Sequence, residues 1–195
     1  MMTLPENLDP QLYPLAWMIG TWRGWGTAPA LGDASEEDTP LLIDLDVTVD
    51  GQCVRHELSV RYAAPRHDLE VTADARSGRL ALRPTEGGWT EDGVWTPERS
   101  EPADGPDTET FSEGPLAIEG GRFGGSGLWA MRSLGPRVAA RLADITDMQY
   151  FDTRVIDGTR MYGLVGGEMM WAEEVALNGQ EFSPSVTARL GRVES

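Results

Sequence analysis

Hydrophobic and polar residues alternate with a period of two along much of the chain, most cleanly between residues 41 and 62. Ile43, Leu45, Val47 and Val49 share one face of a strand, and Asp44, Asp46, Thr48 and Asp50 share the other. Asp50-Gly51 is a hairpin signal, because a two-residue turn needs positive φ. The returning strand places Val54, His56, Leu58, Val60 and Tyr62 on one side and Cys53, Arg55, Glu57, Ser59 and Arg61 on the other. His56 therefore falls on the inward, apolar face.

The remaining segments follow the same rhythm less strictly. Residues 7 to 19 read as a short helix or turn, with Asn7 and Asp9-Pro10 at its start and Leu12, Leu15, Ala16 and Ile19 near helical spacing. Pro29 to Pro40 reads as a polar loop, its acidic Glu36-Glu37-Asp38 a solvated surface. Leu69, Val71 and Ala73 predict a strand, Ser77-Gly78 a turn, Leu80 and Leu82 another strand, and Gly87-Gly88 another turn. Trp89, Val94 and Trp95 are core candidates, and Pro97 to Asp107 reads as a loop, too polar and proline-rich for a barrel strand. Strands are expected over 116–118, 127–134, 138–145, 149–155 and 161–165, with turns at Gly120-Gly121, Gly124-Gly125, Gly135-Pro136 and Asp157-Gly158. Residues 137–147 also fit a helical period. Turn signals every ~8 to 12 residues without a long helix predict an antiparallel barrel or sandwich. No internal repeat or second domain is visible.

Gly20-Thr21-Trp22-Arg23-Gly24-Trp25-Gly26 stands apart from this pattern. Glycine weakens a strand interior, so three within seven residues need a reason. The first strand of a small barrel must coil to join both neighbours, and Gly20, Gly24 and Gly26 allow that while Trp22 plugs the barrel end. The plainer alternative is an ordinary strand with a core tryptophan.

The motif also carries a resemblance. Gly20-x-Trp22-x-Gly24-x-Gly26, after the short apolar run Leu15 to Ile19, resembles the nitrobindin family of calycin-like barrels, related in shape to fatty-acid-binding proteins. Met169 to Gln180, followed by Phe182 and Val186 to Leu190, is similar to that family's last strands, its Gly-Gln turn and its terminal segment. Between the two ends only the strand rhythm is shared. The resemblance implies an all-β fold, a single antiparallel calycin-like β-barrel over residues 1–195 with a short N-terminal helix or turn. It also implies haem b held by one histidine near the C-terminus, with nitric oxide binding and conversion of peroxynitrite to nitrate.

The chain departs from its family at that histidine. Counted without a gap from Gly179-Gln180, the position falls on Ser185, and no histidine follows His67. A serine hydroxyl is a poor iron ligand, since its alkoxide is scarce at neutral pH. Among replacements, a neutral imidazole at His56 is a competent ligand, although an inward histidine is more often a hydrogen-bonded core residue. His67 sits in a loop-like stretch, Cys53 alternates away from His56, and Met169 shares an inward face with Trp171, where methionine usually packs. If Met169, Trp171, Val175 and Leu177 face inward, so does Glu173, and a carboxylate inside a barrel needs an arginine or hydrogen-bond partner. His56, Met169, Trp171, Glu173 and Ser185 thus outline the expected ligand pocket. Two histidines and one cysteine at these spacings make no zinc site.

Composition narrows the function classes. The chain has 195 residues, enough for one domain that buries about 70% of its unfolded surface. Thirty-two acidic residues against 16 basic ones give a net charge of -16, and every basic residue is arginine. Such a surface disfavours nucleic acid and anionic membranes as partners and excludes lysine-based catalysis. A single cysteine, no secretion-type start and no apolar run near roughly 18 residues suit a cytoplasmic protein. No G-x-S-x-G elbow, Walker loop or H-E-x-x-H is present, so no catalytic residue is assigned. The expected function is a barrel that has lost haem ligation, has no cofactor and binds a small apolar or amphipathic molecule. The alternatives are a haem b peroxynitrite isomerase using His56, or a structural or interaction barrel.

Overall fold

The computed structural model describes residues 8–29, 37–101, 111–178 and 180–194. The acidic loop before Glu37, the polar stretch from 102 to 107, the chain start and Gly179 of the Gly-Gln turn lie outside the described residues. The strands in chain order are β1 Gly20–Ala28, β2 Thr39–Asp50, β3 Cys53–Pro65, β4 Leu82–Trp95, β5 Arg99–Glu101 and β6 Phe111–Gly120. They continue with β7 Ser126–Leu134, β8 Arg137–Thr146, β9 Gln149–Tyr150, β10 Thr153–Val165, β11 Glu168–Leu177 and β12 Phe182–Arg192. Ten of them form a closed antiparallel barrel in the order β11-β12-β1-β2-β3-β4-β6-β7-β8-β10, with β10 pairing back onto β11. β5 and β9 are short additions on β6 and β10.

The glycine motif is explained by β1's two neighbours. A Cβ at Gly24 would lie 2.0 Å from the Arg189 carbonyl oxygen, and one at Gly26 would lie 2.3 Å from that of Thr187. The β12 backbone thus presses directly on β1, as barrel closure requires. Trp22 points inward and is fully buried, and its Nε1 donates to the Met18 carbonyl at 2.7 Å. The Arg192 guanidinium stacks over its ring at 4.2 Å and donates to the Trp17 and Ile19 carbonyls. Under this lid lies a 3-10 helix, Pro10–Leu15, capped by Asp9, whose side chain accepts from the Gln11 amide at 2.9 Å. Leu12 and Leu15 seal this end of the core.

The segment between β3 and β4 corrects the sequence expectation. Residues 69 to 73 are not a strand, and 75 to 80 form a short helix, α1 Ala75–Leu80. Its N-cap, Asp74, accepts from the Ser77 amide at 2.7 Å, so Ser77 begins a helix rather than closing a turn. Gly78 permits close docking, since a Cβ there would lie 2.0 Å from Trp25 Nε1 on the outer wall of β1. Trp25, Leu42, Ala63 and Leu82, with Leu69 and Ala73 beside them, form a second apolar cluster outside the barrel. Two other expected turns lie within strands. Gly87-Gly88 lies at a bulge of β4 against β3, and Asp157-Gly158 is paired strand just after a bulge of β10 against β11 at Ile156. Residues 137–146 are strand, not helix. Among the described residues no helix is long and apolar enough to cross a membrane.

Candidate functional site

Inside the barrel, where alternation would place apolar side chains, five strands contribute a polar cluster. β10 supplies Arg160 because the bulge between Val155 and Asp157 changes its phase: Val155 faces inward before it, and Gly158, Arg160 and Tyr162 face inward after it. Arg160 lies directly opposite Glu173 of β11. β4 supplies Glu91 and β3 supplies His56. A second bulge, where Glu173 pairs with Val186 but Glu174 pairs with Pro184, leaves Ser185 of β12 unopposed, so that Ser185 and Val186 are both buried.

The guanidinium of Arg160 forms a fork with Glu91, Nη1 to Oε1 at 2.5 Å and Nη2 to Oε2 at 2.6 Å. Its Nε lies 2.5 Å from Glu173 Oε2 as an ion pair without hydrogen-bond alignment. Glu173 Oε1 accepts from the Ser185 hydroxyl at 2.9 Å, and His56 Nε2 shares Glu91 Oε1 at 2.9 Å. Arg160 also stacks over the Trp129 ring at 4.7 Å, with Trp171 at 5.9 Å, and Trp171 stacks on Tyr162. Glu91 is 1% exposed, Arg160 5% and Glu173 3%, so charge must be balanced within the cluster.

That balance splits the two carboxylates. Burial pushes both upward, yet for Glu91 the Arg160 charge and hydrogen bonds from Arg160 and His56 prevail and hold it well below the usual carboxylate range. For Glu173 burial prevails over the opposing Arg160 charge and the Ser185 hydrogen bond, with repulsion from Glu91 adding to it, and its carboxyl is pushed up. Burial likewise raises the Tyr162 hydroxyl. Arg160, between two carboxylates, is held more firmly protonated than a free arginine.

The sequence-derived site residues all lie on the inner wall or in the strands that build it. Glu173 and Ser185 bond directly, and His56 joins them only through Glu91 and Arg160. Trp171 touches the cluster through Arg160, and Met169, fully buried, pairs with Leu190 in the adjoining core. His67 is exposed on its loop, and Cys53 sits at the surface with Sγ 3.5 Å from Thr96 Oγ1. Among the described residues no three metal-ligating side chains cluster. Arg160 and Tyr162 escape the sequence reading because the β10 bulge shifts their phase, and Glu91 because it lies in a polar run of β4.

Three spaces adjoin this architecture among the described residues, one of them a cleft of about 480 Å³ on the outer wall beside β7, β8, β10 and β11; the other two bear on ligand binding. One, of about 20 Å³, lies inside the barrel between His56, Tyr162, Trp95 and Met18. Roughly 10–15 Å³ holds a water, so this is solvent-sized. The other is a groove of about 910 Å³ on the outer wall, lined by Trp25, Leu69, Val71, Met161, Val165 and Met170 among others. At the barrel end nearer Ser185, Arg122 closes the rim by donating to the Ser185 carbonyl and, at 2.7 Å, to that of Pro29, while stacking on Tyr150 at 5.2 Å.

No protein-family model matches the chain. A ferric nitrobindin-like protein of Kineococcus radiotolerans is 30% identical, over 98% of this chain and 99% of that one. A second protein of that name, from Beutenbergia cavernae, is 29% identical over 97% and 98%. A peroxynitrite isomerase of Kocuria rhizophila is 28% identical over 98% and 95%. Among solved structures, Rv2717c from M. tuberculosis superposes with a TM-score of 0.60 at 18% identity, covering 96% of this chain and 100% of that one, which shows a shared fold.

Proposed function

This chain belongs to the nitrobindin family, and we propose that it is a member that does not ligate haem iron and binds a small apolar or amphipathic molecule instead. The observation that carries the proposal is the Ser185 hydroxyl, fully buried and donating to Glu173 at 2.9 Å. The residue at the position expected for the iron ligand has a weak donor atom and spends it on a carboxylate. Two further observations support this. The interior space bordered by His56 is about 20 Å³, whereas ligand pockets run to roughly 300–1,000 Å³. His56 Nε2 is engaged with Glu91 at 2.9 Å rather than facing open space. The residues present therefore do not fit an iron porphyrin, and no reaction step is drawn through one.

The ion-paired cluster takes over the role of holding the barrel interior together. An ion-paired polar core fixes the relative register of β3, β4, β10, β11 and β12, because any slip would separate buried charges. The protein then acts by binding rather than by turnover, in the cytoplasm, with nucleic acid and anionic membrane kept away by the net charge of -16. Peroxynitrite isomerisation, the activity in the name of the Kocuria relative, is the competing assignment. Stopped-flow decay of peroxynitrite tests it. With protein and one equivalent of hemin, decay is expected to match hemin alone. A protein-dependent acceleration that Glu91→Gln or His56→Ala alters overturns the proposal.

A further inference from the structure

The outer-wall groove is unusual for a barrel exterior. Val71, Met161 and Val165 all face it as exposed large hydrophobics, Val71 at 91%, in a protein whose outer positions are otherwise rich in carboxylates. It crosses β10, β11 and β12 and is walled on one side by the segment carrying Leu69 and Val71. Its floor includes small residues, Gly163 and Ala172, and a Cβ built on Gly163 meets nothing closer than the Pro136 oxygen at 4.0 Å. At the β8 edge stands Arg137, whose guanidinium has no ion-pair or hydrogen-bond partner among the described residues. The groove's other arginine, Arg189, is committed to the Thr72 and Ala73 carbonyls and to Glu168.

Building on the small-molecule proposal above, we infer that this groove binds an amphipathic monocarboxylate, its apolar chain lying across β10 to β12 and its acid group on Arg137. The volume of about 910 Å³ suits one such molecule, not a larger partner's whole surface. Charge complementarity selects the head group. Arg137, unpaired among the described residues, stands beside an apolar trough whose lining also includes Asp38, so the groove offers one free positive charge to a single acid group, while Asp38 and the net charge of -16 work against polyanions such as nucleotides. An uncharged apolar molecule would leave Arg137 without a role.

Titration calorimetry of the whole protein with octanoate and with 1-octanol tests this. Octanoate should bind saturably at one equivalent. Arg137→Gln should weaken octanoate about tenfold while leaving 1-octanol nearly unchanged. Gly163→Trp, which fills the floor, and Val71→Asp, at an exposed wall position, should each abolish binding of both while the thermal unfolding midpoint stays near wild type. Octanoate binding that survives both variants overturns the groove assignment and leaves small-molecule binding intact, with the ligand elsewhere. Absence of saturable octanoate binding by wild type overturns the groove, and absence of both ligands overturns small-molecule binding with it. Sedimentation showing a dimer that Gly163→Trp splits into monomers overturns it also, since a second copy then covers the groove.

Discussion

Arg160 grips Glu91 with both terminal nitrogens, at 2.5 Å and 2.6 Å, while its Nε faces Glu173 at 2.5 Å, all within a barrel whose other inward side chains are mostly apolar. Desolvating three charged groups is expensive, and the arrangement persists because each oxygen and nitrogen finds an opposite charge or a donor nearby. Such a cluster is intolerant of losing one member.

Glu91→Gln leaves Arg160 facing Glu173 alone, with the fork neutral on one side. Breaking a buried pair costs about 3–5 kcal/mol. Urea unfolding at pH 7 should show a loss of that size, whereas Arg141→Gln, which removes an exposed pair to Asp157 at 2.8 Å, should cost about 1 kcal/mol or less.

The two carboxylates impose opposite pH dependences. Glu91 is held below the ordinary value of 4.5, so between its folded pKa and 4.5 the unfolded chain binds more protons, and stability falls as pH drops through that window. Glu173 is raised above 4.5, so between 4.5 and its folded pKa the native protein binds more protons, and stability falls as pH rises. Denaturant midpoints of Glu173→Gln against wild type should therefore show wild type losing ground above pH 4.5. A wild-type curve that gains on the variant there contradicts the assignment.

Backbone contact makes Gly24 irreplaceable. Alanine there would put a Cβ 2.0 Å from the Arg189 carbonyl, and the strands would have to part. Overpacking of this kind costs about 1–3 kcal/mol, and Gly24→Ala should lie at or beyond the upper end in equilibrium unfolding. Gly163→Ala, in open space, should stay within about 0.5 kcal/mol.

Helix α1 can be detached without opening the barrel. Gly78→Val collides with Trp25 Nε1, which a Cβ already approaches to 2.0 Å. Hydrogen exchange should show loss of protection over residues 75–81 while the β2–β3 ladder keeps its own.

The β2–β3 hairpin is legible in the sequence because both strands alternate without interruption, although its turn falls on Gly51-Gln52, one residue beyond the expected Asp50-Gly51, so that Asp50 opposes Cys53, Val47 opposes His56 and Leu45 opposes Leu58. The glycine motif is legible because nothing but close backbone contact or coiling accounts for that spacing. Helix α1 was hidden because Gly78 looks like a breaker when its missing side chain serves Trp25, although Asp74 followed by Ser77 was a readable cap. The cluster was half legible. Glu173 follows from the phase of β11, and its need for an arginine from the cost of a buried charge. Arg160 itself could not be found, because the β10 bulge reverses which residues face inward, and no local composition signals it. Ser185 could be placed by resemblance, but its burial depends on a second bulge that sequence does not announce.

We propose that ion pairs close the barrel interior and leave iron no ligand. The proposal is tested most directly by titrating purified protein with hemin and following the Soret band, with His56→Ala alongside. The account predicts no saturable, shifted Soret band for either protein. A shifted band saturating at one equivalent in wild type and lost in His56→Ala would contradict it, and would return the chain to haem chemistry with His56 as the ligand.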